Sequence, residues 1–506
     1  MYNLLFSKNT KYLFIIILLN IFSHFIPFER SIISADTFSF FTYDKLGIHN
    51  FLYNPDRPIE YIIHEIEFNI LNYNFHLHFI YLITSICILS TIIYYFFNLF
   101  FNTKTSFLIT LFYSLLPHKI EIYHSSIYAW INLIDGFYIL SLLLFINYIR
   151  YKFIFIYIIS ILIFFFAVMG RESGILIPFC MLTYLYLYEL NKNLFIKLLL
   201  TIPYFATILF SIILRLSGGF SHTSNTGRNI DIQNIPSGGL DIFHIFFGRY
   251  IIKNIVYGIY QFINLPILLI LFFIVINIIL IISYKKQLLN FIKSKTLYNK
   301  KIILFFLSIL IFSLIPNLIA GSIGGRNTII ACLFIVIIFN IILFYLNNYI
   351  KYSIIFLLLI VSQGNTYSQV ISLRLNSSVF DYITNNKEEM SNYKNIIINT
   401  NDFSKNIHFS LVQNKYNVLK TYFGAQAFED WGLVAMTNYL LNNKNIEIAA
   451  GGIKESNDFY EVTIHSKIGY NTYSENIKYL PINNTYVINF EKVYKNKYSN
   501  GLVIYD

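Results

Sequence analysis

Apolar runs of about 17–25 residues, the length a helix needs to cross a hydrocarbon core, recur along the first 363 residues. In an aqueous domain such runs would leave helices apolar on every side. The pattern therefore dictates a polytopic α-helical membrane protein. Only 12% of residues are charged while 56% are hydrophobic, against roughly 25% charged in a soluble domain. Eleven spans are expected, at 11–28, 79–101, 106–117, 127–149, 153–169, 174–190, 198–214, 255–283, 302–320, 327–347 and 351–363. The third is short enough to be a tilted or partly buried helix. Cys87, Cys180 and Cys332 fall inside apolar runs and read as small core residues, so no disulfide framework is implied.

Charge supplies the topology. Residues 362–506 carry 13 basic and 13 acidic residues, so the whole net charge of +11 lies in the membrane part. A neutral soluble region argues against a nucleic-acid partner. The excess of Lys and Arg instead fits loop sidedness and contacts with anionic headgroups or lipid phosphates of the bilayer. With the N-terminus in the cytoplasm, Lys8, Lys11, Lys104, Arg150, Lys152, Lys192, Lys197 and Lys351 face inward, as does the dense basic stretch from Lys285 to Lys301. Nearly all membrane-part carboxylates then face outward, in loops 29–78, 118–126, 170–173, 215–254 and 321–326; Glu189 stays inside and Asp135 lies within a span. Ile33-Ser34-Ala35 also resembles a cleavage site that would leave Asp36 at a new N-terminus, but the long first run ends well before it.

Beyond Ser362 the composition shifts to Asn, Ser and Lys. Short β-branched runs appear at Asn395–Thr400, Ile446–Ala450, Tyr460–His465 and Tyr486–Phe490, with helical patterns at Val370–Met390 and Ala427–Leu441. Residues 364–506 are therefore expected to form a small extracytoplasmic α/β domain after a membrane domain of residues 1–363.

The residues with chemical potential collect in the outer loops. The first loop holds Asp36, Asp44, Asp56, Glu60, Glu65 and Glu67. Asp36 stands only a few residues past the first span, level with a lipid phosphate, and the other acids read as solvated surface. Arg57, between Pro55 and Pro58, has the fork to bind a phosphate bidentately; an ion pair with Asp56 or Glu60 is the plainer alternative. The second loop gathers His118, Lys119, Glu121 and His124 within seven residues, without the spacing of a strong zinc site. Asp135, inside the fourth span, needs a basic partner, for which Arg171 or Arg57 is available. Gly170-Arg171-Glu172-Ser173-Gly174 forms a tight outer turn that is either self-neutralised or a lipid-phosphate contact. Gly324-Gly325-Arg326-Asn327 combines a permissive backbone, a helix start and a cation, the makings of an anion site. Arg215, Arg228, Arg249 and Lys253 in the long loop read as headgroup contacts.

At these residues the chain resembles the GT-C glycosyltransferases, integral membrane enzymes that use lipid-phosphate sugars. That superfamily has an essential acidic residue soon after the first span, the place Asp36 occupies. Pro117, Glu121, Trp130 and Asp135 follow the order seen in the protein O-mannosyltransferase branch and its relatives. Lys119 stands where that branch often has histidine, and Ile134 where it has arginine. Arg171-Glu172-Ser173-Gly174, with Pro178 beyond, is similar to the superfamily's Lys-Glu-x-Gly turn, and Gly325-Arg326 to its late outward arginine. The resemblance implies an inverting transferase of a bacterial inner membrane, moving sugar from a polyprenyl-phosphate donor to a glycan, lipid or protein acceptor on the outer face. It implies three catalytic carboxylates: Asp36 as base, Glu121 positioning the acceptor or sharing that role, and Asp135 orienting a basic partner. Arg57, Arg171 and Arg326, with His118 and Lys119 nearby, would bind substrate. Some members also require a divalent cation, Mg or Mn.

Two rival readings follow from other features. A polymerase or ligase of lipid-pyrophosphate glycans would centre on loop 215–254, with His222, Arg228, His244 and Arg249. A flippase or transporter would favour inverted repeats and charges near the bilayer midplane, whereas the sequence has no repeat and its charge lies at the outer interface.

Overall fold

The structure, a computed structural model, describes residues 10–24, 57–71, 74–116, 129–191, 193–217, 249–263, 265, 267–291, 299–319, 328–346, 348–399, 430–443, 445–463 and 477–489, with positions 240, 243 and 246. The protein is mostly helical, with a small C-terminal sheet. In the first half the helices are α1 (Thr10–His24), α2 (Pro58–Leu71), α3 (Phe75–Asn98), α4 (Thr103–Leu115), α5 (Ala129–Tyr151), α6 (Ile154–Gly170) and α7 (Ile177–Tyr188). There follow α8 (Leu194–Ser217), α9 (Arg249–Ile263), α10 (Ile267–Phe291), α11 (Lys300–Ile319), α12 (Cys332–Tyr345), α13 (Asn348–Asn385), the single turn α14 (Lys387–Met390) and α15 (Asp430–Leu441).

Each expected span meets a helix, with one correction. The eighth, expected as one run over 255–283, is two helices, α9 and α10. The sequence between them is Asn264-Leu265-Pro266, and proline supplies no N–H to an uninterrupted ladder. Four helical segments among the described residues are long and apolar enough to cross a membrane: His76–Asn98, Ala129–Tyr151, Leu194–Leu214 and Lys300–Leu318. Six further apolar helices are shorter.

Local chemistry sets the corners. Asn74 caps α3 by accepting from the backbone of His76 and Leu77, and Asn102 caps α4 by accepting from Thr105 N at 2.9 Å. Between α5 and α6, Lys152 takes a left-handed φ of 60°, a conformation that costs an L-residue about 1–2 kcal/mol. It permits a two-residue reversal that packs α6 against α5.

Helix α5 is the hub, packed between α3 and α6 and touching α7. The short α4 is buried along nearly its whole length, as expected for the third span. Buried polar side chains pair across helices. Asn20 donates to Ser90 at 3.0 Å, Asn132 to Ser85 at 3.1 Å and Tyr204 to Ser160 at 2.8 Å. Asn277 on α10 and Gln363 on α13 exchange two amide bonds of 3.1 Å. In apolar surroundings such groups need partners, and each pair ties two helices at one register.

Helix α13 runs without a break from Asn348 to Asn385, through the position where the composition changes. Its bundle half packs on α9 and α1, and its far half meets α15. The sheet has the order β4-β3-β2-β1-β5, with β1 (Asn395–Asn399) central and parallel to both β2 (Glu447–Glu455) and β5 (Thr485–Asn489). The other pairs, β2 with β3 (Phe459–Thr463) and β3 with β4 (Ile477–Pro481), are antiparallel. Ile396, Ile397 and Ile398 of β1 are fully buried, as a strand covered on both faces requires. Four strands fall where the β-branched runs indicated; β4, with its Lys478 and Pro481, was missed.

Candidate functional site

The two ends of the bundle differ in chemistry. At one end meet the C-terminus of α5, the α3–α4 corner and the start of α11. Arg150 donates to the Leu99 carbonyl at 2.7 Å, Lys301 lies over Tyr188, and rings of Phe96, Phe97, Phe100, Phe305 and Phe306 interlock. The opposite end carries ionisable groups that link three elements.

The first link is the α6–α7 turn on α5. Gly170 and Gly174 allow close approach: a Cβ at Gly170 would stand 2.5 Å from Ile134 Cδ1, and one at Gly174 2.6 Å from Cδ2 of Tyr138. With the turn seated so tightly, Arg171 Nη1 reaches Asp135 Oδ2 at 3.3 Å, and Ser173 Oγ donates to Asp135 Oδ1. The Tyr138 hydroxyl donates to the Arg171 carbonyl. Asp135 is 1% exposed, so its charge is met by protein groups rather than water.

The second link runs from the same turn to α2. Arg57 Nε and Nη2 donate to the two oxygens of Glu172 at 3.2 and 2.9 Å, a bidentate fork, while Nη1 donates to Glu60 at 3.3 Å. Burial opposes the guanidinium charge, but Glu172 and Glu60 outweigh it and push the Arg57 pKa up. The pair is the accessible part of the cluster, with Arg57 and Glu172 side chains 23% and 36% exposed.

The third link joins α2 to α3 and α5. His78 Nδ1 donates to Glu67 Oε1 at 2.6 Å, and His64 Nδ1 lies 3.4 Å from Oε2. The His64 ring meets the Trp130 ring edge-on at 6.1 Å. Burial works against the Glu67 charge, yet the hydrogen bonds and charges of His64 and His78 outweigh it and hold the carboxyl below the usual glutamate range.

Of the residues singled out from sequence, the structure brings Asp135, Arg171 and Arg57 together through the Arg171-Glu172 peptide. Asp135 takes Arg171, not Arg57, as its partner, and Arg57 pairs with Glu60 as its plainer reading had it. Asp36, His118, Lys119, Glu121 and Arg326 lie outside the described residues. Glu67 and Glu60 correct the expectation that the first loop's other acids are solvated surface. Both lie on α2, whose ionisable face turns inward, and Glu67 is 5% exposed. Sequence reasoning missed His64, Glu67 and His78. The readable signal was the spacing of Glu60, His64 and Glu67, which places them on one helical face opposite Ile62, Ile66 and Ile70, with Arg57 just before the helix. Among the described residues no group of three or more His, Cys, Asp and Glu is arranged to hold a metal ion.

Compared with known proteins, the chain matches no family model and no curated sequence. What the fold and the cluster define is a class: a helical protein with candidate membrane spans, a small α/β sheet region and an ion-paired cluster at one end of its bundle.

Proposed function

We propose that the chain is an inverting GT-C-type glycosyltransferase of a bacterial plasma membrane. It takes its sugar from a polyprenyl-phosphate donor and transfers it to a glycan, lipid or protein acceptor on the outer face. The single observation that carries the reading is the cluster in which α5, the α6–α7 turn and α2 meet at one end of an apolar bundle. It gathers Asp135 and the Arg171-Glu172-Ser173-Gly174 turn, both part of the superfamily resemblance. The reading places eleven spans in the membrane, the N-terminus in the cytoplasm and the C-terminal sheet outside.

The chemistry follows from the residue types. Asp36 takes the proton of the acceptor hydroxyl as its oxygen attacks the anomeric carbon from the face opposite the phosphate. The bond from that carbon to the phosphate oxygen breaks, and lipid phosphate leaves with the electron pair. Glu121 holds the acceptor. Arg326 neutralises the leaving phosphate, and His118 and Lys119 bind substrate. Arg57 binds phosphate by exchanging the Glu172 carboxylate for it, because the two anions fit the same guanidinium fork. Asp135 and Arg171 act as positioning residues: their pair and Ser173 fix the turn that presents Glu172.

The test is Asp36→Asn. The variant is expected to express and insert like the parent, and to lose transfer of labelled sugar from a polyprenyl-phosphate donor in membranes. Full activity in that variant removes Asp36 as the base. Assays with and without chelator separate out a divalent-cation requirement.

A further inference from the structure

Helix α2 is built the reverse way to a helix on the surface of a soluble protein. Glu60, His64 and Glu67 of α2, with Arg57 just before it, face the bundle, whereas Ile62, Ile66 and Ile70 are 46, 53 and 68% exposed; Glu65 and Asn69, hydrogen-bonded to each other, border that stripe. The isoleucines recur every four residues and so form one stripe. The inner contacts fix this orientation. Turning the stripe inward would break the Arg57–Glu172 fork and the Glu67–His78 bond together. Fourteen residues rise about 21 Å, short of a hydrocarbon core of about 30 Å, and α2, unlike the short apolar helices of the bundle, carries Glu60, Glu65 and Glu67 along its length, so it lies along a membrane rather than across it. The exposed apolar surface continues past the Asn74 corner. Leu77, Ile80 and Ile88 are exposed on α3, most of which is a candidate span.

We infer that the Ile62–Ile66–Ile70 face of α2 is immersed in the acyl chains of the outer leaflet. The helix is then a wall one helix thick between lipid hydrocarbon and the charged cluster. This rests on the membrane placement in the proposed function but not on any catalytic activity. For a lipid-linked donor, the consequence is that its tail and its phosphate lie on opposite sides of α2's edge, within reach of Arg57.

The test uses the full chain in phosphatidylcholine–phosphatidylglycerol vesicles. Single cysteines at Ile62, Ile66, Ile70 and, as a control on the exposed face of a candidate span, Leu209 carry a fluorophore, in a background of Cys87→Ser, Cys180→Ala and Cys332→Ala. Quenching by doxyl-labelled lipid with little quenching by aqueous iodide is expected at all four. Strong iodide quenching on α2 overturns the inference, because the face is then in water. Quenching by neither agent also overturns it, since another protein segment or a second copy then covers the stripe. Loss of lipid quenching at Leu209 as well topples the membrane placement itself; loss on α2 alone topples only this inference. Should the cysteine background fail to fold, a carbene-generating acyl-chain probe on the unmodified protein gives the same reading. Label is expected on Ile62, Ile66 and Ile70, and its absence there with label present on α8 refutes the assignment.

Discussion

Asp135 and Arg171 illustrate how much a single buried pair asks of its surroundings. Removing one partner of a buried ion pair strands the other charge and costs about 3–5 kcal/mol, whereas replacing both with apolar residues is often neutral. Asp135→Ala is therefore expected to lower stability by about that amount, and Asp135→Leu with Arg171→Met to recover most of it, measured by thermal unfolding in detergent. A double variant as unstable as the single one contradicts this account. Glu67 carries a pH prediction. Its folded-state pKa lies below the ordinary 4.5, so its contribution is fully present above that value and is lost as pH falls through the lower one. Acid unfolding of the parent should show this loss, and Glu67→Gln should flatten it; an unchanged acid limb would show that the pairing of Glu67 with His64 and His78 contributes nothing. Asp135 was legible in the sequence as a charge needing a partner. The choice of Arg171 over Arg57 was not, because it depends on the glycines that let the α6–α7 turn sit against Ile134 and Tyr138.

Among elements, α9 and α13 cross with their backbones in close approach. A Cβ at Gly258 would stand 2.6 Å from the Val361 carbonyl oxygen, and one at Gly364 would lie 2.8 Å from the Gly258 carbonyl carbon. Small residues at a crossing let backbones meet where no water is available to drive association. Gly364→Leu is expected to force these helices apart at a cost of about 1–3 kcal/mol, read as a lower unfolding temperature and faster proteolysis. Ser353→Ala on the exposed face of α13 is the control and should behave like the parent. Helix α2 marks the limit of element-level reading. As part of a loop between two apolar runs, its acids are expected in solvent. Its inward polar face emerges only once Glu60, His64 and Glu67 are placed on one helix.

Over the whole molecule, α13 couples the bundle to the sheet. Its 38 residues extend about 57 Å at 1.5 Å per residue, and its far half reaches the sheet through Tyr382, whose hydroxyl lies 3.2 Å from that of Tyr486. A proline in a helix interior removes a backbone bond and costs roughly 3 kcal/mol or more. Ser372→Pro is expected to make α13 a protease-sensitive link between two regions that each keep their protection, seen as two stable fragments on limited digestion. Digestion no faster than in the parent would mean that the regions are held together by contacts other than this helix.

Hydrophobic patterning by itself determined that the chain is a helical bundle with a small α/β region after it. It also located nearly every helix, since a run of apolar residues reports locally on the solvent it will meet. Tertiary structure alone decided which charges meet: Asp135 with Arg171, Arg57 with Glu172, and Glu67 with His78. An ion pair depends on distance in space, and its partners here lie 11 to 115 residues apart. Only the packing of α2, α3, α5 and the α6–α7 turn brings them within a few ångströms.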